Sequence, residues 1–182
     1  TGLAAWHQDV SDIQAEMDDI QRRGCGALSS TRISSIFIST TRRCSPSMRK
    51  PTAGGLPVLF HTGDSRTDFS TPRRLMNVIQ KIPDFTCIAA HLGGYSEWED
   101  ARRELSGTNV YIDTSSSLFA VTPEQARKSI EHFGVDHTMF GTDFPMWSPK
   151  EELERFFALG YGEEDNRKML FENFARLFRL AE

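Results

Sequence analysis

A chain of 182 residues, 38% hydrophobic and 25% charged, is long enough for one domain with a real core. Its formal net charge of -4 leaves no electrostatic footprint for nucleic acid, and no apolar run approaches the roughly 20 residues of a membrane span. Cys25, Cys44 and Cys87 are too widely spaced for a CxxC metal site and odd in number for a disulfide framework. With no basic-then-apolar leader at the N-terminus, a cytoplasmic location is expected.

In chain order, Val10, Ile13, Met17 and Ile20 recur at helical spacing, so a helix is expected over 9–23 and ends at Gly24. His7, ahead of it, reads as a surface histidine. Cys25 to Leu28 begins a strand. Residues 29–53 break the pattern, with seven Ser, four Thr, five basic residues and no acid. From Gly54 the pattern is regular. A strand over 56–61 precedes a polar loop and a helix from Pro72 with Leu75, Val78 and Ile79 on one face. A strand over 85–91 leads through Gly93 and Gly94 to a helix marked by Trp98, Ala101 and Leu105. The alternation in 109–113 predicts a strand. Thr122-Pro-Glu-Gln125 is a capping box that starts a helix to about Phe133. A strand over 137–142 and helices over 150–159 and 163–180 complete the chain. Alternating strands and helices imply α/β architecture with a parallel sheet, whose right-handed connections put the strand C-termini on one rim.

Three strands end in residues suited to chemistry. Leu56-Pro-Val-Leu-Phe-His61 delivers His61, Thr86-Cys-Ile-Ala-Ala-His91 delivers His91, and Thr138-Met-Phe-Gly-Thr-Asp143 delivers Asp143. In parallel α/β folds, sites are built at those ends. Imidazole and carboxylate suit a borderline divalent metal, with zinc, iron and manganese all compatible. His61 and Asp143 are the ligand candidates, and His91 is a ligand or a general acid/base. Each has a structural alternative, His61 and His91 as hydrogen-bonded strand-end residues and Asp143 as a turn residue before Pro145. Asp113 also ends a strand, but Thr114-Ser-Ser-Ser117 after it favours turn hydrogen bonding. His132 and His137 fall on the opposite rim. Asp64, Arg66, Tyr95 and Trp147 are loop residues within reach of a substrate.

The stretches Pro-Val-Leu-Phe-His-Thr-Gly-Asp, Ile-Ala-Ala-His-Leu-Gly-Gly, Phe-Gly-Thr-Asp-Phe-Pro and Glu-Asn-Phe-Ala-Arg-Leu-Phe stand in an order and spacing that resemble the amidohydrolase-related metal enzymes. This is the branch that includes aminocarboxymuconate-semialdehyde decarboxylase and the resorcylate decarboxylases. The resemblance covers about 54–180, with 9–28 fitting as the helix and strand before it. It implies a (β/α)8 TIM barrel of the metal-dependent hydrolase type, incomplete here, with roughly strands 4 to 8 in a single partial domain over 1–182. It implies His61 as a metal ligand, His91 as the acid/base or a second-metal ligand, and Asp143 as ligand and proton carrier. The implied cofactor is a divalent metal, zinc first and manganese or iron next. The implied reaction is hydrolysis or decarboxylation of a small, acidic or aromatic substrate. No nucleic-acid or membrane partner is expected, and a homodimer is the assembly to test.

Two departures qualify this. The His-x-His pair that completes the family's metal site has no counterpart in the sequence, so a catalytically inactive remnant or binding subunit is the alternative. The other departure is 29–53, where the family has Lys-(Leu or Ile)-His-Pro and later Tyr-Glu-x-Ala. With synonymous codons chosen freely, the neighbouring reading frame restores both motifs. A shifted frame across this segment and a genuine basic insertion are therefore the two readings.

Overall fold

The computed structural model describes residues 2–5, 22, 25–30, 57–82 and 86–180. His7, most of the expected helix over 9–23 and the anomalous segment beyond Ser30 lie outside them, although Arg22 is helical. Six strands are described, β1 (Gly2–Ala5), β2 (Cys25–Ser30), β3 (Val58–Phe60), β4 (Cys87–Ala89), β5 (Tyr111–Asp113) and β6 (Thr138–Met139). All neighbouring pairs are parallel and the order is sequential, β1 to β6. That is the strand order of a (β/α)8 barrel, with six strands among the described residues. The expectation of five strands was one short. Gly2–Ala5 is a four-residue run, Gly-Leu-Ala-Ala, with no alternation to mark it.

Helices α1 (Pro72–Lys81), α2 (Trp98–Glu104), α3 (Pro123–Phe133) and α4 (Pro149–Phe157) follow β3, β4, β5 and β6. Their starts are set locally. Thr71 accepts the Arg74 amide ahead of Pro72, and Thr122 and Gln125 form the expected reciprocal capping box. Gly134 closes α3 at φ 96. The last helical stretch is α5 (Glu163–Arg167), a π turn (Lys168–Glu172) and α6 (Asn173–Leu177). Among the described residues no helix is long and apolar enough to cross a membrane.

Strand pleating sorts the side chains. Val58, Phe60, Cys87, Ala89 and Ile112 join Leu75, Val78, Leu105, Ile130, Phe156 and Met169 in one buried cluster between sheet and helices. Burial pushes the Cys87 thiol pKa up, which makes that cysteine a packing residue. The opposite alternation carries Leu59, Ile88 and Tyr111 to the other face of the sheet.

The C-terminal helices are tied to β6 by polar contacts. Asn173 is fully buried, and its Nδ2 donates to the carbonyls of Val135 and Thr138, both at 2.7 Å. The Phe140 amide donates to the Met169 carbonyl at 2.8 Å. Removing this buried donor takes a hydrogen bond from each carbonyl, and Val135 O keeps the one from the Thr138 amide. Asn173→Ala should therefore cost roughly 1–3 kcal/mol. Urea denaturation should show a lower midpoint with an unchanged slope.

Candidate active site

The rim is assembled by loops that satisfy one another. After β3 comes His61, then Thr62, fully buried, whose carbonyl accepts the Tyr95 amide at 2.7 Å. Gly63 follows at φ 81, and its amide donates to Ser70 O at 2.6 Å. A Cβ there would sit 2.5 Å from the Tyr95 nitrogen and 2.6 Å from the Gly94 carbonyl carbon. Only glycine permits that approach.

After β4 the chain turns through two left-handed residues, His91 at φ 65 and Leu92 at φ 53. Such conformations cost about 1–3 kcal/mol each and persist where surrounding contacts enforce them. Here the His91 amide donates to Asp113 Oδ1 at 3.1 Å and the Leu92 amide to Asp113 O at 2.6 Å. Trp98 Nε1 donates to the His91 carbonyl at 3.1 Å.

His91 is 5% exposed. Its Nε2 lies 2.9 Å from His61 Nδ1, with the two rings edge to face. Its Nδ1 lies 2.9 Å from Ser115 O and 3.0 Å from Ser115 Oγ. Ser115 in turn donates from its amide and its hydroxyl to Asp113 Oδ1. Residues 114–117, all buried, therefore form the floor behind His91.

Asp143, exposed and left-handed at φ 60, follows the end of β6. Its Oδ2 accepts from Ser116 Oγ at 2.6 Å, and Ser116 Oγ accepts from Trp147 Nε1 at 2.9 Å. Trp147 stacks on Phe119 with centroids 4.1 Å apart. Adjacent serines thus hold the two expected acid/base residues, Ser115 on His91 and Ser116 on Asp143.

Burial of His61 pushes its proton affinity below the ordinary 6.5, and the His91 ring adds to this, while the carboxylates of Asp64 and Asp143 pull it back. Asp64 is turned to Arg66, whose bidentate contact holds its carboxyl down to about 2. Tyr95 lies edge-on to His91. His137 stacks on Tyr111 at the start of β6, away from this rim.

The structure thus pairs His61 with His91 and joins Asp143 to them at one remove. Among the described residues no group of three or more His, Cys, Asp or Glu side chains is placed to hold a metal ion. His61 and Asp143 fit a metal as two donors of the right chemistry, but they do not complete a site. Asp113 makes the turn hydrogen bonds expected of it, and with Ser115 and Ser116 it also contacts His91 and Asp143, which the sequence reading did not anticipate. The available signal was four consecutive hydroxyl residues after a strand-end carboxylate. A cleft of about 460 Å³ lined by Trp98, Arg102, Gln125 and Lys128 lies on the helical side of the same loop, outside the histidine pair.

The amidohydrolase family model matches residues 43–180, starting inside the anomalous segment. Among solved structures, the chain is similar to a dihydroxybenzoic acid decarboxylase from Polaromonas sp. with bound manganese and the inhibitor 2-nitroresorcinol. They share 17% identity at a TM-score of 0.71, over 92% of this chain and 65% of that one. It is similar to a candidate 2-pyrone-4,6-dicarboxylic acid hydrolase from Pseudomonas putida at 18% identity and TM-score 0.73, over 100% and 72%. It is also similar to an amidohydrolase from Burkholderia multivorans with bound zinc, at 12% identity and TM-score 0.76, over 99% and 74%. At these identities the likeness establishes the TIM-barrel fold. The chain spans between 65% and 74% of the length of these three structures. No curated protein sequence matches it.

Two outcomes follow from this geometry. Gly63→Ala should destabilise the fold by at least about 2 kcal/mol, since backbone rather than a flexible side chain must give way. Thermal denaturation of the variant reads that loss. His61 should titrate below 6.5 in a histidine NMR titration. The unfolded chain binds a proton at His61 as pH falls through 6.5, and the folded chain binds it only at lower pH. Folded stability should therefore fall across that interval, and a midpoint above 6.5 would contradict the assignment.

Proposed function

The chain belongs to the amidohydrolase family, and from that premise we propose that it carries the acid/base half of a hydrolase or decarboxylase acting on a small organic acid. The observation that carries this reading is the His61–His91 hydrogen bond at the ends of adjacent strands, backed by Ser115 and Asp113. Strain supports it, since His91 and Asp143 both adopt left-handed backbone conformations at the rim. The similarity to a decarboxylase with 2-nitroresorcinol and to a dicarboxylic acid hydrolase favours acidic or aromatic substrates.

In decarboxylation a proton must reach the carbon that loses carbon dioxide. In hydrolysis a proton must leave the attacking water. The His61–His91 pair can hold or pass that proton in either case, and Asp143 lies close enough for its charge to act on His61. A divalent metal, zinc by expectation, would polarise a substrate oxygen or acidify a water when bound. His61 and Asp143 would be two of its ligands, with the others supplied from outside the described residues. The same lack of a three-donor group favours a second reading, an inert partial barrel.

Assays of the purified chain with 2,6-dihydroxybenzoate and 2-pyrone-4,6-dicarboxylate, with manganese or zinc added, separate the two. The catalytic reading expects turnover that falls about 10²–10⁴-fold in His91→Gln. Absence of turnover together with substoichiometric metal binding would establish the inert reading instead.

A further inference from the structure

Which ring nitrogens of the histidine pair carry protons follows from their partners. A backbone carbonyl can only accept, so the 2.9 Å contact between His91 Nδ1 and Ser115 O requires a proton on Nδ1. Ser115 Oγ, 3.0 Å from the same nitrogen, spends its own hydrogen on Asp113 Oδ1 and therefore also presents a lone pair. With Nδ1 protonated, the neutral His91 ring has a bare Nε2. The 2.9 Å contact to His61 Nδ1 then requires that nitrogen to donate. Neutral His61 is left with its bare nitrogen at Nε2. The assignment therefore passes from one carboxylate oxygen to the far side of the second ring.

Asp113 Oδ1 is the origin of this chain. It accepts the His91 amide, the Ser115 amide and the Ser115 hydroxyl. The first two bonds fix the turn that places the Ser115 carbonyl. The third turns the hydroxyl hydrogen away from His91. Were that hydrogen released, it could donate to His91 Nδ1 and stabilise the opposite ring form.

We infer that Asp113 is a positioning residue that works through Ser115 to hold His91 as the Nδ1–H tautomer and His61 with a bare Nε2. The effect on catalysis rests on the acid/base reading above. The tautomer itself does not, because it is fixed by hydrogen bonds within the chain. Asp113 touches no reacting atom, and its part is to select which nitrogen each imidazole offers at the rim.

Long-range proton–nitrogen NMR of the full chain, recorded where both histidines are neutral, distinguishes a protonated ring nitrogen from a bare one. The expected result is Nδ1–H for both His91 and His61. An Nε2–H form of His91 overturns the inference. Asp113→Ala should lose the single-form signature and show His91 as a mixture. Adding Ser115→Ala to that variant removes the competing hydroxyl and should return His91 to Nδ1–H. A single Asp113→Ala variant that keeps wild-type nitrogen shifts overturns the role of Asp113. Should that variant fail to fold, the wild-type Ser115 hydroxyl proton decides. Slow exchange and proximity to Asp113 support the inference, and proximity to the His91 ring defeats it. An inactive chain with the Nδ1–H form sinks the catalytic reading alone. An active chain with the Nε2–H form sinks this one alone.

Discussion

Strand ends in a parallel sheet leave backbone donors and acceptors that the helix crossovers cannot satisfy, and the rest of this rim depends on how they are paired. Each loop here is bonded to the next. Tyr95, after β4, donates to Thr62, after β3. Leu92 donates to Asp113 at the end of β5, and Thr114 donates to Met139 at the end of β6. Thr114 and Gly141 then exchange bonds through the threonine hydroxyl. Buried polar groups that are fully paired stiffen a structure, whereas partly paired ones weaken it. The rim can therefore hold strained residues in place because its bonds form a continuous belt across four strands.

That belt explains why the rim side chains sit where they do. His91 and Leu92 are left-handed, and two successive residues of this kind would relax without the Asp113 bonds. The same carboxylate orders Ser115, so one group answers for both the backbone and the ring of His91. Gly63 belongs to the same arrangement, because its missing Cβ lets the β3 and β4 turns approach until the two histidines meet. Positioning at this site comes from backbone contacts more than from side-chain packing, which leaves the outer loop residues free to vary in chemistry.

Strand period and turn residues were sufficient to place three side chains on the rim. His61, His91 and Asp143 each follow a short apolar run, and the structure places them after β3, β4 and β6 of one sheet. The family resemblance added a name and a metal to that pattern. Asp113, Ser115 and Ser116 escaped because Asp-Thr-Ser-Ser-Ser has the composition of an ordinary turn, and it does make one. Its side chains face inward only because flanking strands bury it, and burial of this kind is a tertiary property. β1 was missed for a different reason. Leu3 among three small residues shows no alternation, and pairing with β2 rather than propensity makes the run a strand. β6 was expected over six residues and has two, since Phe140 leaves the sheet to bond Met169.

The two halves of the rim differ in how far the described residues complete them. His91 lies in the interior of the sheet, flanked by loops on both sides, and every polar atom of its ring has a partner within the chain. Asp143 follows β6, a margin of the described sheet, and is exposed with one serine on one of its oxygens. A carboxylate at a margin keeps lone pairs for whatever lies beside it, whereas an imidazole with both nitrogens engaged has little capacity left. The hydrogen bonds of the His91 ring are therefore supplied from within the described residues. Asp143, by contrast, is held from one side, by Ser116 and through it by Trp147.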